Sequence, residues 1–327
     1  MKNFQRDRLH DTCMKTVIVR LDYAGVIDIT DLNKLFEKRF PKAFKERHEI
    51  HNNEFYMRYK VAVILPVYKN DKVPYVKLSF DSILNQTYKE IHLYIGVDGP
   101  VGEELTTCLK EYEKDEKVSV QWFSENRGLA IVLNDLLDIC FREGYEYIAR
   151  MDADDISMPD RIARQMTYML ENSDIDVVGG AIEEIDENGE SRGKTIVYPL
   201  THEECRKFFR YRDPLAHPAT FFRKRYFDKA KGYRPEYRKN QDTMLWFDGF
   251  MNGCIFANLP DTVLHFRVAK DFYGRRNGLK RAKQMMRSRM EINKAMKYDI
   301  TANLFAIAMA LMTVSPTWLK KFLYRIR

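Results

Sequence analysis

Asp152, Asp154 and Asp155 stand together in "RMDADDISMPDR", residues 150–161. Carboxylates that close repel one another, and the repulsion grows wherever water is excluded. Two environments relieve it: an open solvated loop, or a divalent cation held by the oxygens. The residues just ahead favour the cation. "GYEYIARM" (144–151) reads as a turn followed by a short apolar strand, so the acids sit just past a strand's C-terminal end. In parallel α/β sheets that edge is where ligands bind. A plainer reading stays open, because "DDISMPDRIARQMTYML" also starts a helix, and acids at a helix N-terminus cap it and suit its dipole.

The elements that must position these acids are legible upstream. "VAVILPVY" (61–68) is a continuous apolar run, as expected of a strand buried on both faces. Pro74 then opens a helix with Val76, Phe80, Ile83 and Leu84 on one side. "IHLYIGVDG" (91–99) and "VSVQWFSE" (118–125) read as strands, and "EELTTCLKEYEKDE" (103–116) and "LAIVLNDLLDICFREG" (129–144) as helices. This alternation predicts an α/β fold with a doubly wound, mostly parallel sheet and helices on both faces, over residues 59–267. Polar residues then gather past four strand ends: Tyr68, Asp98, Asn126 with Arg127, and Asp152 with Asp154. Parallel strands bring all four groups to one edge. "DENGES" (186–191) contains an Asn-Gly turn and reads as a hairpin.

The flanks differ from this centre. Residues 1–58 read as a small βα extension, with "TVIVRLDYAG" as strand and "ITDLNKLFEKRF" as a helix capped by Thr30. The net charge of +7 is local: residues 268–327 carry 14 Lys/Arg against 3 Asp/Glu, so the remainder is net negative. A basic tail argues for an anionic surface such as a membrane and against a general nucleic-acid face. "GRRNGLKRAKQMMRSRMEINKAMK" (274–297) is a basic helix, and "NLFAIAMALMTV" (303–314) is apolar but too short to span a bilayer. "SPTWLKKFLYRIR" (315–327) puts Trp318, Leu319, Phe322 and Leu323 on one face among basic residues. The tail thus reads as a separable interfacial element, with a core helix over 305–312 as the other reading. Five scattered cysteines without a CxxC suggest free thiols in a reducing compartment. The charged start "MKNFQRDRLHD" has no apolar core, so it is not a signal peptide. The expected location is the cytoplasm, peripheral on the inner face of the cell membrane.

"VILPVYKND", "DSILNQTYKEIHLYIGVDGP", "ENRGLAIVLN" and "ARMDADDISMPDRIARQ" resemble, in order and spacing, the family 2 glycosyltransferases, inverting enzymes with the GT-A fold. "VDGPVGEEL" looks most like the bacterial branch that builds capsular and exopolysaccharide. The resemblance covers about residues 61–267. It implies a nucleotide-sugar donor, with a UDP-sugar expected, and a divalent Mn²⁺ or Mg²⁺ ion. Pro66, Val67 and Tyr68 match the positions that hold the base. Asp98 matches the acid at the uracil, although Gly99 and Pro100 replace the second acid that many relatives have. Arg127 matches the arginine near the nucleotide. Asp152 and Asp154 match the metal pair, Asp152 also facing the ribose. Gln241, Asp242 and Trp246 in "NQDTMLWFDGF" match a downstream motif whose Asp is the catalytic base.

The chemistry suits these residue types. A departing nucleoside diphosphate carries concentrated charge, and a hard cation with carboxylate ligands stabilises it. The attacking hydroxyl must lose a proton, and one carboxylate within about 3 Å takes it, typically for 10²–10⁴-fold in rate. Asp242 is the candidate, and Asp248, off that helix face, is a weaker one. His217 and His265 are lesser candidates, a structural histidine before Pro218 and a strand residue or third metal ligand respectively. The expected acceptor is lipid-linked or a polysaccharide. Two other functions compete. A sugar-phosphate nucleotidyltransferase would carry a Gly-rich, lysine-bearing loop after the first strand, and "LPVYKNDKVPY" has no glycine. A non-catalytic membrane or anion binder leaves the ordered acidic motifs unexplained.

Overall fold

The first strand, β1 (Val61–Val67), is buried almost throughout. It lies between two parallel neighbours, β2 (Ile91–Val97) and β4 (Tyr147–Arg150), and β3 (Val118–Trp122) extends the sheet beyond β2. Helices α1 (Val73–Leu84), α2 (Glu103–Tyr112) and α3 (Leu129–Arg142) make the crossovers. Pro74 sits in the first turn of α1, which buries Val76, Phe80 and Ile83. Against β2, α3 packs so closely that a Cβ on Gly96 would come within 2.5 Å of Val132. The order β3-β2-β1-β4 puts the reversal of winding between β1 and β4. A crevice opens at such a reversal, at the strands' carboxyl ends. The computed structural model describes residues 59–268 and 278–315, all within one compact unit, Tyr59–Arg327. The βα reading of residues 1–58 and the Trp318–Leu323 face lie outside the described residues.

Beyond β4 the sheet becomes mixed. β8 (Phe221–Arg223) runs antiparallel between β4 and β6 (Val177–Ile185). β9 (Phe256–Arg267) is parallel to β6, and the two-residue β5 (Ile156–Ser157) closes the edge antiparallel to β9. β7 (Ser191–Ile196) returns along β6 as the hairpin expected from "DENGES". One expectation fails here. The helix in "DDISMPDRIARQMTYML" does not begin at the acids. Ile156 and Ser157 first pair with His265 and Leu264, and α4 (Arg161–Glu171) starts after Pro159. Its first residue, Arg161, is fully buried and donates to the carbonyls of Arg150 at 2.9 Å and Thr220 at 3.2 Å. The acids therefore occupy a loop between two strands, so helix capping does not account for them.

The remaining helices are α5 (His202–Phe208), α6 (Lys224–Ala230), α7 (Gln241–Met251), α8 (Leu279–Ala295) and α9 (Ile300–Val314). Trp246 anchors α7. It is fully buried among His217, Phe222, Tyr226 and Phe256 rings, at centroid distances of 5.8–6.5 Å. Truncating such a residue costs about 3–5 kcal/mol. Trp246 thus fixes the helix whose first turn carries Asp242. The four described cysteines, Cys108, Cys140, Cys205 and Cys254, are buried free thiols.

Candidate active site

The loop after β4 gathers the acids expected to hold a cation. Ligand oxygens of Asp152, Asp154 and Asp155 all lie within 4.8 Å of one another. Burial, then Asp152, pushes the Asp154 carboxyl up to about 6. Burial, then Asp154 and Asp152, raises Asp155 well above the usual carboxylate range. Asp155 accepts the Arg267 backbone N–H at 2.8 Å through Oδ1, while its buried Oδ2 has no protein partner. Arg267 donates from Nε to the Asp154 carbonyl at 2.8 Å and lies over the Tyr75 ring at 4.3 Å. Oxygen donors at this spacing, with one buried oxygen unpartnered, fit a hard divalent cation.

Two residues that the motifs left unremarked belong to this centre. Asp71, in the loop between β1 and α1, accepts the Tyr68 amide at 2.8 Å. Its carboxyl is pushed up to about 7 by burial, with Asp154 and Asp152 adding to the rise and the Tyr68 amide opposing it. The signal was an acid three residues past Tyr68 in "VYKND". Arg150 ends β4, is 2% exposed, and meets Asp152 Oδ1 at 2.5 Å through Nη2. Its Nε and Nη1 are buried without a protein partner. An arginine inside an apolar strand was the signal there.

Asp242 faces the same space from the first turn of α7. The Thr243 amide donates to its Oδ1 at 2.8 Å. The Thr243 hydroxyl donates to Asp213 Oδ2 at 2.8 Å, and Arg289 of α8 donates to Asp213 Oδ1 at 2.8 Å. Burial and the Asp213 charge push the Asp242 carboxyl up to about 6, against the Thr243 amide, Arg150 and Arg289. A carboxylate poised there is a proton acceptor near neutral pH. Asp248 is spent differently, in two bonds from Arg234 at 2.8 and 2.6 Å.

Asp152, Arg150, His217, Gln241 and Asp242 line one cavity of about 580 Å³. His217 is buried and bonds the Tyr233 hydroxyl at 2.8 Å. Burial and the Arg150 charge push its imidazole well below its usual value. The described part of the tail lines this cavity. Arg281, Met285 and Arg289 of α8, and Phe305, Met309 and Met312 of α9, form part of its wall. The sequence placed every catalytic candidate before Lys270 and missed this wall.

Other candidates do not line this cavity. Asp98 spends its oxygens on the next loop, accepting the Arg127 amide at 2.7 Å, the Gly128 amide at 3.0 Å and Asn126 Nδ2 at 2.8 Å. Gly99 allows that approach, with φ +85° and the Asn126 nitrogen 2.6 Å from where a Cβ would stand. Arg127 pairs with Asp135 and covers the Phe123 ring at 4.3 Å, turned into its own loop. Val67 is buried, its carbonyl accepting the Asp98 amide at 2.8 Å, and Pro66 lies in β1, with Tyr68 exposed beyond. Trp246 is core, not cavity wall. His265 sits in the β9 ladder with Nε2 3.4 Å from Glu183 and is not part of the close carboxylate group.

Known proteins share the sequence and the fold of this chain. The model of glycosyl transferase family 2 matches residues 62–230. The O-antigen biosynthesis glycosyltransferase WbnJ of Escherichia coli is 37% identical over 212 residues, 64% of this chain and 79% of that protein. The amylovoran biosynthesis glycosyltransferase AmsE of Erwinia amylovora is 27% identical over 266 residues, 80% of this chain and 97% of its own length. An Escherichia coli UDP-Gal:alpha-D-GlcNAc-diphosphoundecaprenol beta-1,3-galactosyltransferase is 25% identical over 269 residues, 81% and 95% of the two chains. Among solved structures, the mannosyltransferase PcManGT of Pyrobaculum calidifontis, in complex with GDP-Man and Mn²⁺, aligns with a TM-score of 0.54. The alignment covers 83% of this chain and 84% of that one at 16% identity, a likeness of fold.

Proposed function

This chain belongs to glycosyl transferase family 2 and is a glycosyltransferase, and from that premise we propose a metal-assisted, inverting transfer. The donor is a nucleotide sugar, a UDP-sugar by preference, and the acceptor is a lipid-linked or polysaccharide hydroxyl in cell-surface polysaccharide synthesis. The relatives that build O-antigen and amylovoran support that setting. One observation carries the reading: Asp152, a member of the carboxylate cluster suited to a cation, and Asp242, an acid suited to proton transfer, line one cavity.

Asp152 and Asp154 would hold the divalent ion, with Asp155 and Asp71 adding negative charge around it. When bound, the ion supplies electrostatic stabilisation to the departing diphosphate. Arg150 fixes the Asp152 rotamer through their ion pair. Asp242 accepts the proton of the acceptor hydroxyl as its oxygen bonds to the anomeric carbon, while the carbon–oxygen bond to the diphosphate breaks on the opposite face. One displacement inverts the anomeric centre. Asp98 shapes the loop at Asn126–Gly128, through which this chain would meet the nucleotide. A screen of sugar nucleotides for diphosphate release, with and without Mn²⁺, tests the reading. Release that requires the metal, with NMR of the product giving inversion, is expected. Metal-independent turnover or retention overturns it.

The surface of α9 supports peripheral membrane association. Ile300, Leu304, Ile307, Leu311 and Val314 form an exposed apolar stripe. Among the described residues, no helix is long and apolar enough to cross a membrane. Flotation with anionic vesicles is expected to retain the protein, and to weaken with salt.

A further inference from the structure

His217 lines the same cavity as Asp152 and Asp242, and its surroundings tie it to the elements that carry both. It opens a single 3₁₀ turn, His217–Ala219. The Thr220 hydroxyl donates to the His217 carbonyl at 2.7 Å. The Thr220 carbonyl accepts the Arg150 amide at 2.9 Å, two residues before Asp152. The imidazole meets the Trp246 ring nearly at right angles, with centroids 5.8 Å apart. Trp246 lies one helical turn beyond Asp242 on α7. The ring is therefore placed both by the strand that leads into the metal loop and by the helix that carries the base.

The two ring nitrogens are used differently. Nε2 bonds the Tyr233 hydroxyl at 2.8 Å. Tyr233 is buried in turn, and Asn134 of α3 clasps its backbone, accepting from the amide and donating to the carbonyl, both at 2.8 Å. Nδ1 has no hydrogen-bond partner among the described residues. A ring locked at one nitrogen, with the other uncommitted, is a preorganised hydrogen-bonding group. Burial and the Arg150 charge disfavour its protonated form. A phosphate is best met by a cation, whereas an uncharged ring nitrogen donates to or accepts from a hydroxyl. The transferred sugar is the part of the donor that has to extend from the diphosphate at the metal loop to the acceptor hydroxyl at Asp242. We propose that His217 binds a hydroxyl of that sugar through Nδ1 and so helps to set which sugar is transferred. Tyr233 and Asn134 are its positioning residues. This assignment rests on the nucleotide-sugar reading above and adds a contact to the sugar itself.

The test uses the full chain, with and without Mn²⁺, and calorimetry with UDP and a panel of UDP-hexoses. Each UDP-hexose is also taken with single sugar hydroxyls replaced by hydrogen. An asparagine places a polar atom where Nδ1 stands, and a glutamine places one where Nε2 stands. His217→Gln is expected to weaken the best-bound UDP-hexose about fivefold and to leave UDP unchanged. His217→Asn is expected to recover most of that loss. One deoxy donor should lose about fivefold in the wild type and nothing further in His217→Gln, the non-additivity of a direct pair. Tyr233→Phe, which frees the ring, is expected to give a smaller loss that is again confined to the sugar. UDP affinity and circular dichroism report the fold of each variant. Recovery by glutamine instead of asparagine, a loss shared equally by UDP, or the absence of any deoxy donor coupled to His217 overturns the assignment and leaves the histidine to packing. Coupled binding that is equally tight without Mn²⁺ sustains the assignment and overturns the metal-assisted mechanism instead.

Discussion

Asp176 and Asp155 are both buried and are treated in opposite ways. Asp176 is fully buried, and its oxygens accept from Arg225, from Lys229 at 2.9 Å and from the Ile255 amide at 2.8 Å. Every bond serves the fold, joining α6 to the start of β9. The four acids Asp71, Asp152, Asp154 and Asp155 have two arginines nearby, and only Arg150 meets a carboxylate with its guanidinium. Arg267 gives Asp155 a backbone amide and spends its Nε on a carbonyl. This chain can neutralise a buried acid when only stability is at stake. Where it leaves acids in excess, the site is suited to a cationic ligand.

The contrast can be broken most severely at Asp154. Asp154→Ala is expected to lower turnover about a thousandfold or more, a transition-state loss of about 4 kcal/mol. Circular dichroism should stay native, and turnover near the wild-type level would remove Asp154 from the metal site. Asp242→Asn follows, with kcat down about a hundredfold or more and donor affinity nearly unchanged by calorimetry. In the wild type, activity should fall as pH drops through about 6, where Asp242 takes up a proton and stops being a base. That acid limb should be missing from the residual activity of the variant.

Stability sharpens the same comparison through its sign. Asp176→Asn is expected to destabilise by about 2 kcal/mol in urea, since charged partners lose their acceptor. Asp154→Asn should stabilise the metal-free protein, because it removes repulsion. Folded-state values raised to about 7 at Asp71 and about 6 at Asp154 mean that the folded chain binds more protons than the unfolded one. Metal-free stability should therefore be greatest below about pH 4 for these groups and fall as pH rises through 6 and 7. Mn²⁺ should flatten that fall. The smallest expected effect is at Arg289→Gln. Removing that cation should move the acid limb of activity to higher pH and lower kcat about threefold at neutral pH. A limb that stays in place would show that Arg289 serves packing alone.

What could be read in advance follows from range. β1 to β4 are locally encoded, each by an apolar run and its turn, so the sheet edge and the Asp152–Asp154 loop were legible. Asp242 was legible through its motif. The short β5 was not, since two residues without periodicity become a strand only because β9 arrives a hundred residues later. Arg150 and Asp71 lay inside quoted stretches, but only the folded chain brings them to the same carboxylates. The inward turn of Arg127 toward Asp135 depends on a side-chain choice that no spacing fixes. Least legible was the place of α8 and α9, whose basic and apolar composition describes a tail as well as it describes a cavity wall.

The bond from Arg289 to Asp213 also sets an order of events during synthesis. Asp154 leaves the ribosome about 130 residues before Arg289, an interval on the order of ten seconds at ordinary elongation rates. The sheet can close and the acidic loop can form in that time, yet the proton acceptor lacks its tuning cation until α8 docks. A nascent chain stalled before α8 would thus carry a nearly complete metal site without a finished base. The tuning of the base would arrive only with the last helices.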